Sequence, residues 1–213
     1  MAIFLPDQNA MFIHIPKTGG QWVEEALLRT GVPVQLITHP QDPRHADRHC
    51  LFEHTELKPN IVFACVRDPA EWYESWWKYQ TGREHSWDEW EWHPTYPLQN
   101  CRHSEFNEFM EIVINIFPGF VSKLYDCYLR TEDMLSRHVV VCRTDKLADH
   151  FLRVMTMLGI KCSDSATRKF QPINRSHGTC GNPIWRKDVK ARMYKAESEI
   201  MERYFTCEDY IYL

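Results

Sequence analysis

The sequence predicts an α/β domain, a parallel sheet of about four to five strands flanked by helices. Three observations predict it. Apolar, β-rich runs recur at 11–15 (MFIHI), 34–38 (VQLIT), 61–66 (IVFACV) and 138–142 (HVVVC). They are continuous rather than alternating, as in strands buried on both faces. Helical patterns lie between them, at 20–30, 69–81, 105–116, 145–158 and 184–204, and strands that alternate with helices require crossover connections. The length of 213 residues suits a single domain over 1–213, with room for a small subdomain.

Composition narrows the class. Hydrophobic residues make up 44% and charged residues 25%, an ordinary globular balance. No run approaches the roughly 18 apolar residues of a membrane span. The start, MAIFLPDQNA, lacks the basic and apolar regions of a secretory signal. A net charge of −4 argues against general nucleic-acid binding and leaves room for a local basic pocket. Eight cysteines are scattered without a CxxC pair, so neither a zinc nor a redox motif is expected. Reduced thiols and a cytoplasmic setting are the expectation.

The first strand ends in "FIHIPKTGGQWVEEAL", residues 12–27. A strand, a glycine turn and a helix start make an anion site. The first N–H groups of a helix lack intrahelical partners, and the helix dipole adds partial positive charge there. Glycine lets backbone approach a phosphate closely. Lys17 adds a full charge at the rim, so 16–22 reads as a phosphate cradle. It is not a Walker A loop, which places lysine after the glycines. No acidic residue is evidently placed for magnesium.

The second constellation is "IVFACVRDPAEWYESWWKY", 61–79. Arg67 follows the strand at its carboxyl end, where ligands gather in open α/β sheets. Asp68 suits an N-cap, Pro69 the first helical position, and Glu71 completes a capping box. Ser75 lies two turns into that helix. An arginine at the strand end and a hydroxyl on the next helix can hold a second phosphate.

Together these stretches resemble the sulfotransferases that use 3′-phosphoadenosine-5′-phosphosulfate. IPKTGG is similar to that family's 5′-phosphosulfate loop, and VRDPAEWYESWWKY resembles its 3′-phosphate motif, about 50 residues later. A weaker resemblance extends through 139–160 and PINRSHG, 172–178. The resemblance implies a P-loop-NTPase-like sheet and transfer of a sulfuryl group to a hydroxyl or amine of a sugar or small-molecule acceptor. It implies no metal, and adenosine 3′,5′-bisphosphate as product. Lys17, Thr18, Gly19, Gly20, Gln21, Trp22, Arg67, Ser75, Asn174, Arg175 and Ser176 are the cofactor-binding residues it marks, with Trp22 stacking on adenine. The family usually has Ser or Thr after the loop glycine; this chain has Gly20 and Gln21.

Lys17 is the expected catalytic cation. The chemistry also needs a base, and the resemblance places a histidine just upstream of the strand that ends in Arg67. His54 fits best, followed by His49, Glu53 and His39, with His85 and His93 beyond them. The stretch 82–104, rich in Trp, Tyr and Pro, reads as a loop-rich insertion whose aromatics either cover the core or face a substrate. With Trp76 and Trp77 it is a candidate acceptor pocket. Two alternatives stay open: a P-loop-related nucleotide-dependent phosphotransferase, and a nucleotide-binding protein without catalysis, which Gln21 motivates.

Overall fold

A computed structural model of the chain describes residues 2–37, 51–52, 55–82, 95–170, 181–206 and 211–212. Its sheet is mixed rather than wholly parallel. The parallel centre matches the sequence expectation: β2 (Ala10–Ile13), β4 (Ile61–Val66) and β5 (His138–Arg143) pair side by side. The flanks correct it. β1 (Ala2–Leu5) runs antiparallel to β2 and to β3 (Gln35–Ile37), and the two-residue β6 (Ile211–Tyr212) runs antiparallel to β5. The strand order is therefore β3-β1-β2-β4-β5-β6.

Local chemistry explains the first hairpin. Pro6–Gln8 forms a 3₁₀ turn, and Asn9 closes it in the left-handed region at φ 47°, a conformation Asn tolerates better than most residues. The sequence predicts β3 as a strand buried on both faces. It is an edge strand, with Gln35 exposed and Leu36 51% exposed. A continuous apolar run does not distinguish an edge from a centre.

Contacts group the chain into two compact units. The first comprises Met1–Arg67, Tyr125–Asn174 and Cys207–Leu213; the second comprises Asp68–Leu124 and Arg175–Thr206. The first holds the sheet. Helices α1 (Gly20–Thr30) and the later α6 (Leu147–Met157) belong to it. Trp22, Val23, Ala26 and Leu27 of α1 and Phe151, Val154 and Met155 of α6 share one core with Phe12, Phe63, Cys65, Val140 and Cys142. Cys65 and Cys142 are register partners in the β4–β5 ladder. The neighbouring Cys142 thiol and burial push the Cys65 thiol above its usual range, so it behaves as a small apolar side chain.

The second unit is helical. It contains α2 (Pro69–Thr81), α3 (Phe106–Ile116), the start of α4 (Phe120–Leu129), α8 (Lys187–Ala196) and α9 (Ser198–Phe205). The short α5 (Glu132–Leu135) and α7 (Asp164–Arg168) belong to the first unit. α2 starts where its sequence says: the Asp68 carboxylate accepts from the amides of Ala70 (2.9 Å) and Glu71 (3.3 Å). Its buried face is Trp72, Tyr73, Trp76, Trp77 and Gln80, the spacing of one helical stripe. Trp76 stacks on Phe109 with centroids 5.5 Å apart, and the Trp77 indole donates to the His103 carbonyl. Both tryptophans are at most 2% exposed. They are core residues here, and the expected acceptor platform on them is corrected accordingly.

The helix expected over 184–204 breaks at Glu197. Its carboxylate accepts from the Tyr73 hydroxyl (2.7 Å), the Val121 amide (3.0 Å), the Ser122 amide (2.8 Å) and the Ser122 hydroxyl (2.7 Å). It thereby caps the first turn of α4 from a distant segment. Gly119 permits the approach. It sits at φ 70°, and a Cβ there would lie 3.1 Å from the Ala196 carbonyl oxygen.

No helix among the described residues is long and apolar enough to cross a membrane.

Candidate functional site

The loop 14–19 joins β2 to α1. Two backbone features set its shape. Gly19, the N-cap of α1, sits at φ 83°, and Lys17 sits at φ 65°. Glycine adopts that region freely; lysine does so at a cost of roughly 1–2 kcal/mol. Strain of this kind persists where the surroundings over-determine it and clusters at functional sites. The amides of Trp22 and Val23 both return to the Gly19 carbonyl. The amides of Gly19 and Gly20 make no hydrogen bond to a described residue. Gly19 is half-buried and Gly20 buried, and an anion seated in the loop would supply the acceptor these amides lack.

Gly20 is required for a second reason. A Cβ there would fall 1.9 Å from Cδ2 and 2.2 Å from Nε2 of His14. The His14 ring, 6% exposed and stacked on Phe12, fills the space a side chain would take. The absence of a hydroxyl-bearing residue at position 20 thus has a steric cause within this chain. No local sequence signal reveals it.

The expected site residues that the structure describes take distinct places. Lys17 and Arg67, fifty positions apart, come together: Arg67 Nη1 lies 3.5 Å from the Lys17 carbonyl oxygen. Both side chains are partly buried, as is that of Gln21 at the first turn of α1. Thr18 is fully buried, and its hydroxyl donates to the Ile15 carbonyl at 2.9 Å. Its side chain holds the loop; only its backbone is left for a ligand. Trp22 is 6% exposed, with Phe151 at its edge and Phe170 tilted against it at 5.4 Å. Its indole donates to the Phe170 carbonyl. The helix phase set by Gly19 turns Trp22 into the core, so in this arrangement it packs and presents no open face for adenine. Ser75 is partly exposed on α2. His54, His49, Glu53, His39, His85, His93, Asn174, Arg175 and Ser176 lie outside the described residues.

Two hydroxyls not anticipated from sequence reach the site. The Thr144 hydroxyl, just past β5, lies 2.9 Å from the Val66 carbonyl oxygen and 3.2 Å from that of Thr18. The Tyr125 hydroxyl accepts from the Arg67 amide at 2.9 Å and donates to the Arg67 carbonyl at 2.8 Å.

His150 steadies the same strand end. Its Nδ1 accepts from the Arg143 amide at 2.9 Å, which leaves the ring proton on Nε2. Burial, then the charges of Arg153 and Lys146, lower its pKa below the ordinary 6.5; Arg143 adds to this and Asp145 opposes it. A histidine kept neutral in the fold takes up its proton more readily once unfolded. Stability should therefore fall as pH drops below about 6.5 and level off below the folded-state pKa. His150→Asn keeps an acceptor near Nδ1 and cannot titrate. Urea unfolding from pH 7 to pH 5 should show a shallower loss in this variant. An identical pH slope would remove His150 as a source of the dependence.

Comparison of the chain with protein families, with curated proteins and with solved structures finds no match.

Proposed function

We propose that the chain is a sulfotransferase that takes a sulfuryl group from 3′-phosphoadenosine-5′-phosphosulfate and passes it to a hydroxyl or amine acceptor. The sheet then serves as a P-loop-like nucleotide scaffold. One observation carries the reading: a lysine in a strained backbone conformation, at a glycine-built helix start, meets an arginine from the end of the neighbouring parallel strand. Two cations at the carboxyl edge of a parallel sheet suit a ligand with two separate phosphate groups. The loop suits such a group, because the Gly19 and Gly20 amides at the start of α1 make no hydrogen bond to a described residue.

The donor supplies an activated sulfuryl group on its 5′-phosphate. The Gly19 and Gly20 amides and the dipole of α1 hold negative charge at that end. Lys17 balances the charge that builds as the bond to the leaving phosphate breaks. Arg67 holds the 3′-phosphate; the resemblance adds Ser75 and 174–176 to that role. A base takes the acceptor's proton. His54 is the first choice, and parallel substitution of His54, His49, Glu53 and His39 identifies it.

Incubation with donor labelled in its sulfuryl group and a panel of sugars, phenols and amines tests the proposal. Label should appear on one acceptor class. Transfer of phosphate from a nucleoside triphosphate, without sulfuryl transfer, would overturn it. Arg67→Ala should separate the two phosphate sites. A charge-assisted contact contributes about 1.5–3 kcal/mol, so preference for the bisphosphate over AMP should drop roughly 10- to 150-fold. Unchanged preference would mean that Arg67 serves only as a structural cation.

A further inference from the structure

The ladder β4–β5 ends at the pair Val66↔Arg143. Arg67 lies one residue beyond, so the sheet no longer fixes its backbone. Lys17 likewise lies past the last pair of β2, Ile13↔Ala64. Two cations carried on backbone outside the ladder need another means of holding their separation.

Two hydroxyls supply it. The buried phenol of Tyr125 engages both the amide and the carbonyl of Arg67. The Thr144 hydroxyl lies within hydrogen-bond reach of the residue before Arg67 and of the residue after Lys17. Its one proton is shared between two carbonyls, so it tethers the loop and the strand end to the same point. The Arg67 guanidinium closes the circuit on the Lys17 carbonyl. Gly19 lets the loop lie this close to the segment after β5, since a Cβ there would lie 3.1 Å from Leu147.

We infer that Tyr125 and Thr144 are positioning residues, which set the spacing of Lys17 and Arg67 for a ligand carrying both a 5′- and a 3′-phosphate. The inference rests on the two-phosphate reading of the site. The two residues act on different parts of the ligand. Tyr125 holds both backbone polar groups of Arg67 and so governs discrimination. Thr144 acts on the loop as well and so governs affinity for any 5′-phosphate.

Calorimetric titration with adenosine 3′,5′-bisphosphate and with AMP, well below the melting temperature, tests this. Tyr125→Phe and Thr144→Val preserve side-chain shape and remove only the hydroxyl. Displacement of a supported ligand group typically costs about tenfold or more. Tyr125→Phe should lower the bisphosphate-to-AMP affinity ratio by roughly tenfold, with AMP little affected. Thr144→Val should weaken both nucleotides by a similar factor, and Thr144→Ser should restore them. Wild-type affinities in both variants, with only the melting temperature lowered, would overturn the inference and leave the site reading intact. A wild-type chain that binds neither nucleotide would overturn the site reading and the inference with it. If Thr144→Val does not fold, the ratio in Tyr125→Phe decides alone.

Discussion

Lys17→Asn should lower kcat by roughly 10²-fold or more while leaving the fold as stable as before. The two halves of that expectation have separate causes. The loop places Lys17 at φ 65°, where Asn fits with less strain than Lys. Relief of up to about 1 kcal/mol offsets the packing that the longer side chain provides. Thermal unfolding should therefore be unchanged or slightly improved. In the proposed reaction, activity depends instead on the ammonium group, which would serve charge present mainly in the transition state. Its loss should appear in kcat more than in nucleotide binding. The magnitude follows from the loss of one oxyanion-stabilising donor. A residue that costs conformational energy and returns it only as turnover is what a stability–function trade-off looks like. Lys17→Met, which removes the charge and keeps the strain, should show the same kcat with a lower melting temperature. A near-normal kcat in both would make Lys17 a turn residue without a part in turnover.

The second large effect concerns stability. Glu197→Ala should destabilise the helical unit by about 3–5 kcal/mol, the cost of removing one partner from a buried, charged hydrogen-bond set. Four donated bonds would vanish, and the Val121 and Ser122 amides would be left buried without their acceptor. The group is 1% exposed, so water does not replace it. Tyr73→Phe removes one of the four and should cost about 1 kcal/mol. Burial first, and Glu197 second, raise the Tyr73 phenol well above its usual 10. A raised folded-state pKa means stability that is complete below about pH 10 and lost as pH rises through the folded value. The contact therefore holds throughout the neutral range. Urea unfolding measures both variants; a loss under about 1 kcal/mol for Glu197→Ala would show that α4 keeps its cap by other means.

What the sequence displays and what it conceals divide along contact range. α1 and α2 are legible because their signals are local: Gly19 and Gly31 bracket α1, and Asp68-Pro69 opens α2 with its own cap. β1 escapes a sequence reading because a short run before a proline carries little periodic signal. α4 (Phe120–Leu129) escapes it entirely, and its cap is Glu197, 75 residues away from Ser122. The same residue ends α8, so a helix that looks continuous over 184–204 is two. In the site, Lys17 and Arg67 are legible because each sits at a strand end beside turn residues. Tyr125 and Thr144 are not, since their hydrogen bonds span 58 to 126 positions. Thr18 and Trp22 look like ligand contacts in the sequence because motif position says nothing of rotation. The helix phase turns Trp22 inward, and the loop folds Thr18 onto Ile15.

The most direct test of the central claim is the wild-type chain's choice between adenosine 3′,5′-bisphosphate and AMP in one calorimetric experiment. Cations at Lys17 and Arg67, held together by the loop and the strand end, predict markedly tighter binding of the bisphosphate. They also predict a melting temperature that climbs with its concentration, because only the folded chain holds both groups. Equal binding of the two nucleotides, with equal thermal shifts, would contradict the two-phosphate site on which the proposed activity rests.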